Sequence, residues 1–252
     1  GLAAARLFLK GVAKVVVKQD EGVAGLSLHQ LNRRTFLERI SQFDIEGLLP
    51  RTGILPSQSQ EYVVEEWCGD VVSAPSIEFC IQDDGVTTFS SMHEQLFYPD
   101  RQTYRGCRSA HWLSESIQKE TREKGQVLAS ALAGEGVRGP VAFDAVVRAN
   151  GEVLFVEANI RRIMSSYAHQ IAQRVSVGMP YTSVRVERRG WKGKKLDELL
   201  EELGSILYTS QSTNGVIPYD IGMLSSHGKL SLLCIGASVE AVESLYRQVA
   251  GR

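Results

Sequence analysis

Runs of β-branched and aromatic residues with a period of two alternate along this chain with segments whose apolar residues recur every three or four positions, so strands and helices interleave and an α+β class is predicted. Residues 2–10 have helical spacing and lead into VAKVVVKQ (12–19), a strand that reaches the glycine-bearing turn DEGVAG (20–25); LSLHQL can return as its partner. RRTFLERISQF (33–43) is predicted helical and EYVVEEW (61–67) a strand, while APSIEFCIQDDGVTTFSS (74–91) reads as a hairpin turning at Asp84-Gly85. SESIQKETREKGQVLASALA (114–133) is a long amphipathic helix with Ser114 as N-cap, interrupted only by Gly125. Strands at 140–147 and 152–160 follow, then a helix near 164–176 and RRGWKGKK, a basic, glycine-interrupted linker. The tail combines the helix LDELLEELGSIL, the strands GVIPYDIGML and KLSLLCIGAS, and the helix SVEAVESLYRQVA.

Composition narrows the class. With 252 residues, 43% of them hydrophobic, the chain can bury a sizeable core. Its net charge of −1 gives no global footprint for nucleic acid or an acidic membrane. A small or locally steered ligand is the better partner. Cys68, Cys80, Cys107 and Cys234 show no C-x-x-C spacing, which suits free thiols in a reducing cytoplasm. The opening GLAAARLFLKGVAKVVV is interrupted by Arg6, Lys10 and Lys14, so it reads as a helix running into a strand rather than a signal sequence. Because the chain begins with Gly and enters regular structure at once, it reads as a fragment or processed form, with something expected upstream.

One hairpin carries unusual chemistry. Asn150-Gly151 signals a two-residue turn in which 149 and 152 face each other, so that paired numbers sum to 301 and Asp144 faces Glu157. Alternation then puts Val153, Phe155, Glu157 and Asn159 on one side, matching Ala142, Asp144 and Val146 on the partner strand. Like charges directly opposite destabilise a sheet unless something neutralises them. A divalent cation would, and the hard oxygen donors Asp144, Glu157 and Asn159, with no His or Cys among them, favour magnesium or manganese. Arg161 and Arg162 follow as anion partners. A hydrated, half-buried hairpin face accounts for the same pattern, and a three-residue loop would shift the register by one.

Lys18 ends a strand before a turn holding Gly22 and Gly25, whose backbone amides could cover phosphates. YVVEEWCG is a strand leading to a polar and aromatic hinge, where Trp67 either stacks or packs. In this order, lysine strand, glycine loop, VEEW hinge, Asp strand and EAN strand, the chain resembles the ATP-grasp ligase superfamily over about residues 12–175. APSIEF, SMHEQ, YRGCRSA, GPVAFDAVV, VEANIRR and the tail GKLSLLCIGASVEAVESLYR further resemble the pheganomycin-type branch of peptide ligases.

The resemblance implies an ATP-grasp fold with a small C-terminal α+β subdomain. By it, residues 1–66 form one ATP-grasp subdomain, 67–190 a second with the metal site, and 191–252 the tail. It implies ATP and Mg²⁺ or Mn²⁺ as cofactors, with Lys18 on the phosphates and the 20–25 loop, including Glu21, Gly22 and Gly25, closing over them. Adenine is read by the backbone near Glu66 and Cys68, with Glu65 and Trp67 alongside; Asp144, Glu157 and Asn159 are metal ligands, and Arg161 contacts phosphate or an acyl-phosphate. The implied activity is an ATP-dependent carboxylate–amine ligase acting on small-molecule or peptide carboxylates and amines, with no nucleic-acid or membrane partner and self-association left open. Where related ligases carry a Lys-Gly-Gly-Thr-Thr-His-Pro-like run, this chain reads RIMSSYAH, which reshapes the space beside the reactive carboxylate.

GEGVRG (134–139) satisfies G-x-G-x-x-G, but a helix precedes it and a strand follows, so it reads as a helix-ending loop. His93 and His169 read as satisfied structural groups more readily than catalysts, and Arg105 and Arg108 as either substrate-carboxylate partners or solvated charges. A nucleotide-binding module without ligase activity is the rival reading, and a plain structural α+β domain is a third.

Overall fold

The computed structural model describes residues 7–8, 10–19, 29–34, 62–99 and 103–250. The chain divides into two compact units, Gly1–Asp70 with Tyr98–Tyr104, and Val71–Phe97 with Arg105–Arg252.

In the first unit, β1 (Lys14–Gln19) lies between β2 (His29–Asn32) and β3 (Tyr62–Glu66), antiparallel to both. The consecutive valines 15–17 make β1 a central strand. All three are buried, and Val15 packs with Phe8, Leu31 and Val64. Most of the expected helices at 2–10 and 33–43 lies outside the described residues.

The second unit is built on one long sheet ordered β11-β12-β10-β7-β6-β5-β8-β4, with β9 paired to β8. Its strands are β4 (Val71–Ser73), β5 (Pro75–Ile81), β6 (Thr87–Phe97), β7 (Tyr104–Ser109), β8 (Gly139–Arg148), β9 (Val153–Asn159), β10 (Tyr181–Glu187), β11 (Gly215–Tyr219) and β12 (Lys229–Ile235). The longer helices are α1 (Glu115–Gly134), α2 (Met164–Val175), α3 (Leu196–Leu203) and α4 (Val239–Ala250).

Ser114 caps α1 by accepting from the Ile117 amide at 3.4 Å. Gly125 is buried mid-helix, where an added Cβ would lie 3.0 Å from Phe79 and 3.1 Å from Ile77. Its missing side chain is what lets α1 settle onto β5. Gly106 in β7 is more constrained: a Cβ there would meet the Ser183 carbonyl oxygen at 2.1 Å, so β10 lies against β7 only because this strand residue has no side chain.

The tail strands β11 and β12 extend the same sheet through β10. The stretch expected as a linker, 188–195, is instead packed. Trp191 is 2% exposed within the core of Val184, Leu199, Leu232 and Val242, and its indole donates to Glu202 at 2.9 Å. Glycines and basic residues suggest a linker by composition, but one large aromatic side chain outweighs them once it finds a pocket. GEGVRG closes α1 as expected, with Gly136 at φ 86°.

Two hairpins share one construction. In 82–86 and 148–152 the first residue exchanges backbone hydrogen bonds with the glycine and with the residue after it (Gly85 N to Gln82 O 2.9 Å and Gln82 N to Val86 O 2.8 Å; Gly151 N to Arg148 O 2.9 Å and Arg148 N to Glu152 O 3.0 Å). Asp84 and Asn150 each accept from the amide two residues on, at 2.9 and 3.0 Å. Gly85 and Gly151 take φ 85° and 88°. Both are three-residue loops with glycine in the left-handed region. The two-residue turn expected at Asn150-Gly151 is therefore corrected: Asn-Gly marks the right place, but here the side-chain oxygen of Asn150 organises the longer loop.

Candidate active site

The longer loop shifts the register of β8 against β9 by one. From Val147–Val153 to Ala145–Phe155 the paired numbers sum to 300, but a bulge follows, and from Asp144–Glu157 to Ala142–Asn159 they sum to 301. Val156 is the extra residue. Loop and bulge compensate, and Asp144 stands opposite Glu157.

The bulge also changes which face β9 presents. Val153 and Phe155 pack on the α1 side with Ala145 and Val147, and Phe155 meets Phe143 edge-on at 6.0 Å. Glu157 and Asn159 pair with Asp144 and Ala142 on the opposite face. The expected grouping of Val153 and Phe155 with Glu157 and Asn159 is corrected accordingly. An unbroken strand would have forced either Phe155 into the polar patch or Glu157 into the core beneath α1.

On this polar face Asn159 is buried, and its amide nitrogen lies 3.5 Å from Asp144 Oδ2. β5 supplies the next row, with Ser76 opposite Asp144 and Glu78 opposite Ala142. Burial pushes the Asp144 carboxyl up to about 6; the Ser76 hydroxyl lowers it, the facing Glu157 raises it further and the Arg161 guanidinium pulls it down. Glu78 is also raised, by burial first, against the opposing Ser166 hydroxyl bond and Arg162 charge. Ser166 Oγ donates to Glu78 and accepts from the Ile163 amide at 3.1 Å, tying the start of α2 to β5.

Glu78 was not singled out from the sequence. A signal was present: in PSIEFCI, Ser76 and Glu78 fall at alternate positions of an otherwise apolar strand, the same alternation that marked Asp144 and Glu157.

A hard cation fits this donor set. Two carboxylates and an amide converge, one carboxylate is enclosed and raised in part by the other's charge, and added positive charge would relieve both effects. Among the described residues no group of three or more His, Cys, Asp or Glu side chains is placed to hold a metal. Protein ligands this few match a magnesium site whose shell is completed by water and phosphate oxygens.

In the first unit Lys18 forms an ion pair with Glu65. Lys18 pairs with Val63 in the ladder, so Glu65 is its diagonal neighbour, within reach on the same face. The Trp67 amide donates to the Lys14 carbonyl at 3.0 Å, and the Lys14 ammonium lies 5.1 Å from the Trp67 ring centroid. Glu66 is exposed and Cys68 half-buried. Glu21, Gly22 and Gly25 lie outside the described residues.

His93 and His169 both meet Tyr181. His93 Nε2 is 2.6 Å from the Tyr181 hydroxyl and His169 Nδ1 is 3.1 Å from it. Burial holds His93 down to about 3, with His169 adding to the effect, so it is neutral at ordinary pH. Arg108 pairs with Glu94 at 3.2 Å and lies over Trp112, and Arg105 lies over Tyr246.

One unit with the lysine strand β1 in a three-stranded sheet and another with a long antiparallel sheet bearing the Asp–Glu–Asn face make up an ATP-grasp fold. The chain shares it with biotin carboxylase of Campylobacter jejuni, solved as a beta-gamma-ATP complex (TM-score 0.66, 13% identity, 99% of this chain and 59% of that one). It shares it also with N5-carboxyaminoimidazole synthase of Aspergillus clavatus, solved with ADP and 5-aminoimidazole ribonucleotide (TM-score 0.66, 10% identity, 99% and 65%). In sequence it is 28% identical over 211 residues to L-propargylglycine–L-glutamate ligase of Streptantibioticus cattleyicolor, covering 75% of this chain and 42% of that protein. Residues 195–249 match the PGM1 C-terminal domain family. The chain thus spans less than half the length of the ligase it matches. No helix among the described residues is long and apolar enough to cross a membrane.

Proposed function

We propose that the chain is the nucleotide- and metal-binding part of an ATP-dependent carboxylate–amine ligase that forms an amide or peptide bond. The observation that carries this reading is the in-register pair Asp144–Glu157, with Asn159 beside it and Arg161 close enough to lower the Asp144 carboxyl. Similarity to an L-propargylglycine–L-glutamate ligase, to a biotin carboxylase in complex with beta-gamma-ATP and to an N5-carboxyaminoimidazole synthase in complex with ADP supports the same chemistry.

Asp144, Glu157 and Asn159 would hold Mg²⁺ or Mn²⁺, which supplies charge neutralisation to the phosphate oxygens when bound. Lys18 pairs with phosphate, exchanging Glu65 for it, while the backbone near Glu66 and Cys68, with Trp67, receives the base. A substrate carboxylate oxygen attacks the γ-phosphorus and ADP leaves. The amine then attacks the acyl carbon, phosphate departs with the bonding pair, and the ammonium proton passes to solvent. Arg161 would bind the transferring phosphoryl group and the acyl-phosphate. Such a transfer asks the protein for positioning and charge neutralisation, so no general base is assigned.

The test is ADP release from the chain with ATP, Mg²⁺ and pairs of amino acids. Release that requires Mg²⁺, a carboxylate and an amine together supports the ligase. Magnesium-dependent ATP binding without release under any pairing identifies a nucleotide-binding module instead.

A further inference from the structure

The polar face of the second unit does not end at β5. Ser76, which stands opposite Asp144 of β8, stands opposite His93 of β6 on its other side. Neighbouring strands lie about 4.8 Å apart, so His93 is two strands, about 10 Å, from Asp144. His93 is 1% exposed, and its Nε2 meets the Tyr181 hydroxyl of β10, which also meets Nδ1 of His169 on α2. Tyr181 is itself fixed: its amide donates to Ser109 Oγ at 3.1 Å, and its ring is buried with Cys107, Ala168 and Ala172. A row of polar side chains thus leads from the Asp144 carboxyl across the sheet and up to α2.

The helix brings the end of that row back to the site. α2 begins at Met164, three residues after Arg161, and Ser166, which donates to Glu78, lies one turn before His169 on the same side of the helix. Of the two imidazoles and the phenol, His93 and Tyr181 are buried and His169 alone is half-exposed. His93 is the enclosed structural group that its sequence context suggests; His169 is not.

The distances assign the protons. Burial raises the Tyr181 hydroxyl above its usual range, with Cys107 and Tyr219 adding to the effect, so it keeps its proton. Burial alone lowers His169, so both imidazoles are neutral at neutral pH. A phenol has one proton to give, so it donates to one ring and accepts from the other. N–H···O bonds run about 2.7–3.2 Å and hydroxyl donors approach closer. Tyr181 therefore donates to His93 Nε2 at 2.6 Å, and His169 Nδ1–H donates to the phenol oxygen at 3.1 Å. The lone pair of His169 is left on Nε2, the ring nitrogen that Tyr181 does not hold.

We propose that His169 Nε2 accepts the proton that the amine sheds on attacking the acyl-phosphate, with Tyr181 and His93 as positioning residues that set its tautomer. The proposal rests on the ligase reading and deepens it: phosphoryl transfer asks for no base, but amide formation releases a proton. The amine nitrogen forms the C–N bond, the C–O bond to phosphate breaks with its electron pair leaving on phosphate, and the positive nitrogen passes one proton to Nε2. Burial makes His169 a weak holder of that proton, and the half-exposed imidazolium returns it to solvent. His93, neutral at the closed end, keeps the Tyr181 proton directed inward. His169 Nδ1 must then stay a donor, and Nε2 stays the acceptor.

Two measurements on the full chain test this. Proton–nitrogen correlation NMR of the imidazole rings at neutral pH reads the tautomer, with the His169 signals identified by their loss in His169→Gln. His169 is expected as the Nδ1–H form in the wild type, shifting toward Nε2–H in Tyr181→Phe. An Nε2–H His169 in the wild type, or a tautomer indifferent to Tyr181→Phe, overturns the assignment. The second compares amide formation from Mg·ATP and an amino-acid pool with hydroxamate formation when excess hydroxylamine, a weakly basic amine that sheds its proton to water unaided, is the nucleophile. His169→Gln should lower amide formation about a hundredfold and hydroxamate formation no more than severalfold, and Tyr181→Phe should lower amide formation about tenfold. Equal losses with the two nucleophiles overturn the proposal and leave the ligase reading standing. A wild type that yields neither product sinks the ligase reading and takes this one with it.

Discussion

Exchange of Asp144 for Asn is expected to cut Mg²⁺-dependent ATP turnover by about a thousandfold while making the metal-free chain more stable. The first effect follows from removing one of two carboxylates on a site that must balance phosphate charge, where losing one electrostatic contact costs on the order of 10²–10³ in rate. The second follows from the Asp144 carboxyl standing at about 6 instead of 3.8. A carboxyl raised about two pH units by folding costs about 3 kcal/mol once ionised, an upper figure because the Arg161 guanidinium would lose the charge that faces it. The sign is fixed by proton uptake: the folded chain binds the extra proton, so the penalty is absent below about pH 4, grows as pH rises toward 6 and is complete above it. Calorimetric melting of the metal-free wild type should therefore fall across that window, and the Asn variant should lack this component of the slope. At pH 7 the variant should melt several degrees higher. An equal or lower melting temperature at pH 7 would show that Asp144 is not held against its own charge.

Arg161→Ala is expected to lower the rate of ADP release by about a hundredfold or more, with nucleotide affinity retained within severalfold, because the contact matters chiefly as charge shifts during transfer. Arg161→Lys should recover only part of the loss, since a point charge does not reproduce the planar fork. A second readout separates contact from general damage. Arg161 pulls the Asp144 carboxyl down, so its removal should move the acid limb of the pH–rate profile to higher pH. A purely structural role would lower the rate without moving that limb. Steady-state kinetics from pH 5 to 8 on both variants measure both quantities.

Much of this arrangement was legible in the sequence, and the failures are instructive. The α+β class, the Ser114 cap, the positions of the DG and NG turns and the valine-rich strand β1 all follow from local chemistry that packing did not override. The facing of Asp144 and Glu157 was derived from a two-residue turn that is not there. The pair survives because the bulge at Val156 restores the register that the three-residue loop removes. No local signal announces that bulge. It exists because Phe155 packs against Phe143 beneath α1 while Glu157 must face the other way, and this conflict appears only when the layers are assembled. Glu78 was overlooked for a related reason: its pattern marks a polar face, but its place beside Ala142 and Asn159 depends on β5 pairing with β8 across some sixty residues of intervening chain. Trp191 shows the opposite error, a composition suited to a linker overruled by one buried ring.

The decisive measurement is an anomalous-scattering crystal structure of the chain with Mn²⁺ and ADP, collected for the wild type and for Asp144→Asn. The expected result is a manganese peak coordinated by the carboxylates of Asp144 and Glu157 in the wild type and lost in the variant. Manganese held by phosphate alone, with those two side chains turned away from it, would contradict the assignment.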